Sequence, residues 1–215
     1  MINIDEVYRL VNNLATKNGG QYLSPSEFNE YTQMASSELF DRLIGRKDQP
    51  VTVYGRNRNT DSRLKPFRVT EDIELTNGIG DLPDDWEKTN AVHTTGDSPI
   101  PVRQTDEDRF ARLFDNPLAS PTEDDPFYIE NQGTIEVYPK TITSVTMRYL
   151  KRPTKAVWAY TLNGRKPVYD PAASVNLEWN ESEKMEIVIR ILNYLGISMR
   201  DGNIVNYTET KQAQE

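Results

Sequence analysis

His93 is the single histidine among 215 residues and cysteine is absent, so the side chains that most often do nucleophilic or metal chemistry are nearly missing. A histidine-paired nucleophile or a multi-histidine metal site cannot be built within one chain, and disulfides, thiolate zinc sites and cysteine nucleophiles are closed off. His93 is therefore expected to be structural. What remains is carboxylate chemistry. Asp84-Asp85 and Glu123-Asp124-Asp125 are clusters that acid–base catalysis or a cation site could use. Adjacent residues on a strand point to opposite faces, however, and calcium loops need alternating oxygen ligands around a glycine turn. Both clusters are expected to cap turns or stay solvated. No GxxxxGK[ST], GxSxG or HExxH run occurs, so the signatures with a readable mechanism are missing. We assign no catalytic, cofactor-binding or metal-ligating residue and expect no enzyme activity. One alternative stays open: two carboxylates from distant segments could form a hydrolase site, as in glycosidases, because sequence does not measure their separation.

The basic residues say more. Arg46, Lys47, Arg56, Arg58, Arg63, Lys65 and Arg68 share the stretch 46–68 with only Asp48 and Asp61, a local charge of +5 in a chain of net charge -8. Arginine grips phosphate and carboxylate equally well through its planar fork, and Tyr54 adds a ring among these cations. The arm could thus contact DNA phosphates, with an affinity that falls steeply as salt rises, or embrace the acidic body of a neighbouring subunit. The acidic remainder favours protein contact. Non-specific DNA binding through 46–68 is the second alternative.

These candidates need elements to hold them. Ile4, Val7, Leu10, Val11 and Leu14 recur at three- and four-residue steps, which predicts a helix ended by Gly19-Gly20. Ser24-Pro25-Ser26-Glu27 has capping-box spacing with proline at the first helical position, so a second helix should start there and stop at Gly45. The stretch 46–66 is polar, with Gly55, Asn57 and Asn59 favouring turns, and reads as a flexible basic arm.

Beyond it, strands are expected at 67–75, 90–95 and 100–103, with a turn at Asn77-Gly78 and a short helix carrying Phe110, Leu113 and Phe114. The run 116–153 is expected to form a three-stranded docking unit: a hairpin around Asn131-Gln132-Gly133, then a third strand marked by Val145, Met147 and Tyr149. Its Arg148, Lys151 and Arg152 lie where the chain returns to the helices. Asn163-Gly164 marks a second hairpin, which Pro167 confines to an edge. Asn180 with Glu183 should cap a helix that buries Met185, Val188, Ile189, Leu192 and Leu195. A shorter helix over 201–212 carries Ile204, Val205 and Tyr207.

These elements predict an α+β fold in a single domain spanning 1–215. Its helical bundle is formed by the N- and C-terminal helices (1–45 and 176–212), with a β-rich insertion of antiparallel hairpins at 67–170. Leu, Ile, Val and Phe make up 49 of the 215 residues, a thin core that 11 Tyr and 3 Trp supplement with rings suited to surfaces buried on assembly. No apolar stretch is long enough to span a membrane, and the acidic start MINIDEVYRL does not read as a signal peptide.

Several of these segments together resemble the head-to-tail connector proteins of tailed bacteriophages, especially the ring or adaptor proteins of short-tailed and crAss-like phages. They are SPSEFNEYTQMASSELFDRLIG, LPDDW, DNPLASPTEDDPFYIENQGTIEVYP, VTMRYLKRPTKAVW and LEWNESEKMEIVIRILNYLGI, which spread the resemblance over nearly the whole chain. The resemblance implies a virion protein made in the bacterial host cytoplasm and about a dozen copies in a closed heterologous ring around the DNA channel. It also implies the portal and other connector or tail rings as partners, and non-specific contact with packaged DNA. No cofactor and no site residue carries over. The residues expected at interfaces are those of the arm (Arg46, Lys47, Tyr54, Arg56, Arg58, Arg63, Lys65), of the return to the bundle (Arg148, Lys151, Arg152) and of the C-terminal segment (Ile204, Val205, Tyr207).

Overall fold

The computed structural model describes residues 1–17, 22–45, 62–114, 120–164 and 166–196. The chain divides into two compact units: Met1–Pro66 together with Pro153–Glu215, and Phe67–Arg152.

The unit made from the chain ends holds helices α1 (Ile4–Lys17) and α2 (Pro25–Ile44). The sequence pattern explains both. Ile4, Val7, Val11 and Ala15 are the buried line of α1. Ser24 accepts from the Glu27 amide while the Glu27 carboxylate accepts from the Ser24 amide, closing a capping box, and Gly45 at φ 85° ends α2. The side-chain hydrogen bond from Ser24 holds the Glu27 carboxyl below its ordinary value.

The other segments reach these helices from far along the chain. Ile2 and Leu177 exchange backbone hydrogen bonds, as do Val157 and Val175. Asn29 brackets Trp158, accepting from its amide at 2.8 Å and donating to its carbonyl at 3.3 Å. Trp179 is fully buried and donates its indole N–H to Ser36 Oγ at 2.8 Å.

The Phe67–Arg152 unit is a sheet of seven strands, β1 (Arg68–Glu74) through β7 (Ser144–Lys151), in the order β1-β7-β3-β4-β5-β6-β2. The intervening strands are β2 (Ile79–Asp81), β3 (Trp86–Thr94), β4 (Pro101–Gln104), β5 (Phe127–Asn131) and β6 (Thr134–Tyr138), with helix α3 (Glu107–Phe114) between β4 and β5. All neighbours are antiparallel except β4 and β5.

The two ends of the sheet nearly meet. Thr76 and Ile79 exchange backbone hydrogen bonds across Asn77 (φ 53°) and Gly78 (φ 80°), the positive angles a tight hairpin turn demands. Gly80 of β2 lies so close to β1 that a Cβ there would stand 2.6 Å from Ile73 Cγ2 and 2.9 Å from the Glu74 carbonyl oxygen. Only glycine permits that approach. The enclosed core is Ile73, Leu75, Val92, Val102, Tyr128, Ile135, Val137, Val145, Met147 and Tyr149, with Leu82 beside them.

The expected helical bundle with a hairpin insertion is therefore corrected: the chain is a mixed α/β protein, one unit of which is a near-closed seven-stranded sheet. Four α-helices of eight or more residues occur among the described residues. Two physical reasons account for the miss. Strand β3 carries register irregularities between Trp86 and Lys88 and between Thr89 and Ala91, so its buried Glu87 and Val92 sit five residues apart and break the alternation that marks a strand. Second, β7 does not extend the β5-β6 hairpin into a three-stranded unit but inserts between β1 and β3. Alternation shows which face of β7 is buried, not which strands flank it.

The remaining hairpin belongs to the terminal unit: among the described residues, β8 (Tyr160–Asn163) and β9 (Lys166–Tyr169) pair only with each other. Helix α4 (Lys184–Tyr194) follows a 3-10 turn over Glu181–Glu183. It buries Ile187, Val188, Ile191 and Leu192, whereas Met185 and Ile189, expected inside, face solvent.

Candidate functional site

Two polar constellations and one exposed surface stand out among the described residues. The first gathers in the terminal unit. Arg63, expected in the flexible arm, instead donates to the carboxylates of Glu183 and Glu186. Arg190 bridges Glu38 at 2.8 Å and Glu186 at 3.0 Å, Arg42 reaches Glu186 at 3.4 Å, and the Tyr194 hydroxyl donates to Glu38 at 2.5 Å.

The result joins the segment before β1 to α2 and α4 by charge-assisted bonds. Burial would push the Glu186 carboxyl up, but hydrogen bonds from Arg190 and Arg63 outweigh it and hold the group below its ordinary value. Burial opposes the Arg63 charge, yet the two carboxylates raise its pKa. Tyr194 is pushed up to about 12 by burial and by its bond to Glu38. A local correction also follows: Asn180 makes no side-chain cap, because the Glu183 amide donates to the Asn180 carbonyl at 2.9 Å and the Glu183 carboxylate is held by Arg63.

The second lies in the sheet unit. The Tyr149 hydroxyl stands 2.9 Å from Asp85 Oδ1 and 3.1 Å from Glu71 Oε2, so one proton is shared toward two carboxylates. Burial first, then these carboxylates, raise its pKa well above the ordinary tyrosine value. Asp85 thus works as a hydrogen-bond anchor, and its carbonyl also accepts from the Arg152 amide at 2.8 Å. The Arg152 side chain pairs with buried Glu87. In the other acidic cluster, Glu123 accepts from Thr141 at 2.8 Å and Asp125 pairs with Arg103. No group of three histidine or acidic residues able to hold a metal occurs among the described residues.

Arg148 is exposed on β7, opposite Thr70 and Ala91, while Lys151 pairs in register with Trp86 and Lys65 is exposed in a 3-10 turn. Arg46, Lys47, Tyr54, Arg56, Arg58, Ile204, Val205 and Tyr207 lie outside the described residues. Arg63 belongs to the ion-pair cluster of the terminal unit, and Arg152 pairs with Glu87 within the sheet unit.

What sequence reasoning missed is the exposed surface. Trp158 stacks on Tyr8 (4.1 Å), Tyr160 (5.9 Å) and Tyr169 (5.6 Å) and donates its indole N–H to Asp5 at 3.0 Å. The base of the β8-β9 hairpin is held by these rings, and its outer half carries Leu162, 68% exposed, and Val168, 47% exposed. The signal was present in the apolar residues flanking Asn163-Gly164.

No helix among the described residues is long and apolar enough to cross a membrane. No protein-family model matches the chain, and no curated protein matches it.

Proposed function

We propose that the protein is a structural component of a tailed-phage particle, one copy of a homo-oligomeric ring in the head-to-tail connector that joins the portal to the tail around the DNA passage. The observation that carries this reading over a hydrolase is that the acidic clusters are engaged as anchors within the fold: Asp85 accepts from the Tyr149 hydroxyl at 2.9 Å, Glu123 accepts from Thr141 at 2.8 Å and Asp125 pairs with Arg103. Carboxylates held in this way brace a scaffold.

The resemblance spread over most of the chain supports the connector assignment, and the exposed apolar hairpin suits a protein whose surface is completed by neighbours. The partners proposed are further copies of the chain, the portal and adjacent rings, with DNA contact limited to the non-specific kind. Of the basic arm, Arg63 is already committed to two carboxylates of its own chain, which leaves one cation fewer for DNA. Mass spectrometry of purified particles tests the proposal: the chain is expected at a stoichiometry matching a ring, and its absence from intact particles sinks it.

A further inference from the structure

Asn-Gly is the dipeptide in which asparagine loses its amide most readily, because glycine has no side chain to hinder attack by its own backbone nitrogen. The sequence holds it three times: at Asn77-Gly78, at Asn163-Gly164 and at Asn18-Gly19, the last outside the described residues. The two described copies share the same reacting pair and both lie at hairpin turns, so a difference between them is a difference of structure.

At Asn77-Gly78 the backbone is held. The turn lies between the two backbone hydrogen bonds that Thr76 and Ile79 exchange. Gly78 is buried, its carbonyl accepts from the Val137 amide at 2.7 Å, and a Cβ there would stand 2.7 Å from the Val137 carbonyl oxygen. Attack by the Gly78 nitrogen on the Asn77 side chain rotates the backbone about both residues, which pulls that carbonyl from Val137 and strands a sheet amide.

At Asn163-Gly164 no such contact exists. Both residues are exposed, Gly164 (φ 64°) has open space where a Cβ would stand, and neither the Asn163 carboxamide nor the Gly164 N–H is hydrogen-bonded. Asn163 is the last residue of β8, in register with Lys166 across the turn. A two-stranded hairpin is at best marginally stable in water, and the rings that hold this one, Tyr160 and Tyr169 on Trp158, are at its base. The tip can therefore open while the base stays anchored.

We propose that Asn163 is a site of spontaneous deamidation in the folded protein and that Asn77 is not. The Gly164 amide nitrogen attacks Asn163 Cγ: an N–Cγ bond forms, the Cγ–NH2 bond breaks, and the Gly164 N–H proton passes through water to the leaving ammonia. Water then opens the succinimide. Cleavage at Cγ gives aspartate and cleavage at the α-carbonyl carbon gives isoaspartate, so the sum is water consumed and ammonia released. Either product sets a carboxylate opposite Lys166, in a stretch from Pro153 to Tyr169 that has three basic residues and no acidic one. Isoaspartate also lengthens the backbone at the turn, so β8 and β9 no longer close in their present register. The hairpin is thus a part of the surface that changes with the age of the protein, whether or not the chain forms a ring.

Peptide mapping by mass spectrometry of the full-length chain tests this, with one sample incubated folded at mildly alkaline pH and a second incubated in denaturant. Circular dichroism checks that the first stays folded. In the folded sample the Asn163 peptide should gain one mass unit, with isoaspartate, about tenfold or more faster than the Asn77 peptide, because the barrier at Asn77 includes the lost Val137 hydrogen bond. In denaturant the two peptides should convert at similar rates. Asn163 left unchanged in the folded sample, or equal rates at the two sites there, overturns the proposal.

Discussion

In the Phe67–Arg152 unit the backbone polar groups pair strand to strand around a sheet whose ends nearly meet, and one apolar cluster fills the interior. The terminal unit is held differently. Its segments come from opposite ends of the chain and are tied by side chains: Asn29 to Trp158, Ser36 to Trp179, Arg63 to Glu183, Arg190 to Glu38. A sheet distributes its stability over many equivalent ladder bonds, whereas a side-chain tie concentrates it in a few residues with no substitute. Single substitutions should therefore damage the terminal unit more than the sheet, unless they strike the place where the sheet closes.

The largest effect is expected from Trp179→Ala. The residue is fully buried, and truncation removes its ring and orphans the Ser36 hydroxyl, so a loss of about 3–5 kcal/mol is expected. In chemical denaturation followed by circular dichroism, the helical transition should move while the sheet transition holds. Equal shifts in both would show that the units do not unfold separately and would break the comparison.

Gly80→Val is the corresponding strike on the sheet. The new Cβ meets the Glu74 carbonyl oxygen at 2.9 Å, a backbone atom that cannot swing aside, as well as Ile73 Cγ2 at 2.6 Å. Overpacking of this kind costs about 1–3 kcal/mol. Amide hydrogen exchange should rise along β1 and β2 and stay unchanged in α1, α2 and α4; protection retained throughout β1 and β2 would mean that the seam is looser than its geometry indicates.

Arg63→Ala comes third. It leaves buried Glu183 without its cation; Arg63 is itself part-exposed, so about 1–3 kcal/mol is expected, below the full penalty for a broken buried pair. Replacing Arg63 and Glu183 together by Met should recover most of the loss, since no charge is then stranded. The pH dependence has a definite sign. Glu186 is held below its ordinary 4.5, so its contribution is complete above that value and is lost as pH falls through the lower, folded value. Acid titration of the terminal unit should show that loss, and Arg63→Ala should flatten it.

How far these features were legible in the sequence follows the same division. The capping box at Ser24, the turn at Asn77-Gly78 and the hairpin at Asn163-Gly164 are local, written in residues that touch one another along the chain. Arg63 looked like one of seven similar cations because its partners lie 120 and 123 residues away. The buried line of α4 was misjudged for a related reason: the helix is apolar on several faces, and only the packing of α1 and α2 selects Ile187 and Ile191 over Met185 and Ile189. The placement of β7 between β1 and β3, and the near-closure at Gly80, are relations among strands that alternation does not encode.

The smallest effect sharpens the comparison most, because it places a side-chain tie inside the sheet unit. The Tyr149 ring belongs to the apolar cluster, while its hydroxyl reaches Asp85 and Glu71. Tyr149→Phe keeps the ring and removes one shared hydrogen bond, which is worth about 1 kcal/mol. If the sheet is stabilised mainly by its ladder and core, urea denaturation should show a loss of that size or less. A loss comparable to that of Trp179→Ala would mean that this unit too depends on a single tie. Alkaline pH offers an independent check. The folded pKa of Tyr149 lies above its ordinary 10.0, so its stabilisation is complete below pH 10 and is lost as pH rises toward the folded value. Tyr149→Phe should shed that part of the alkaline loss, and an unchanged alkaline slope would assign it to the other raised tyrosine of the cluster, Tyr128.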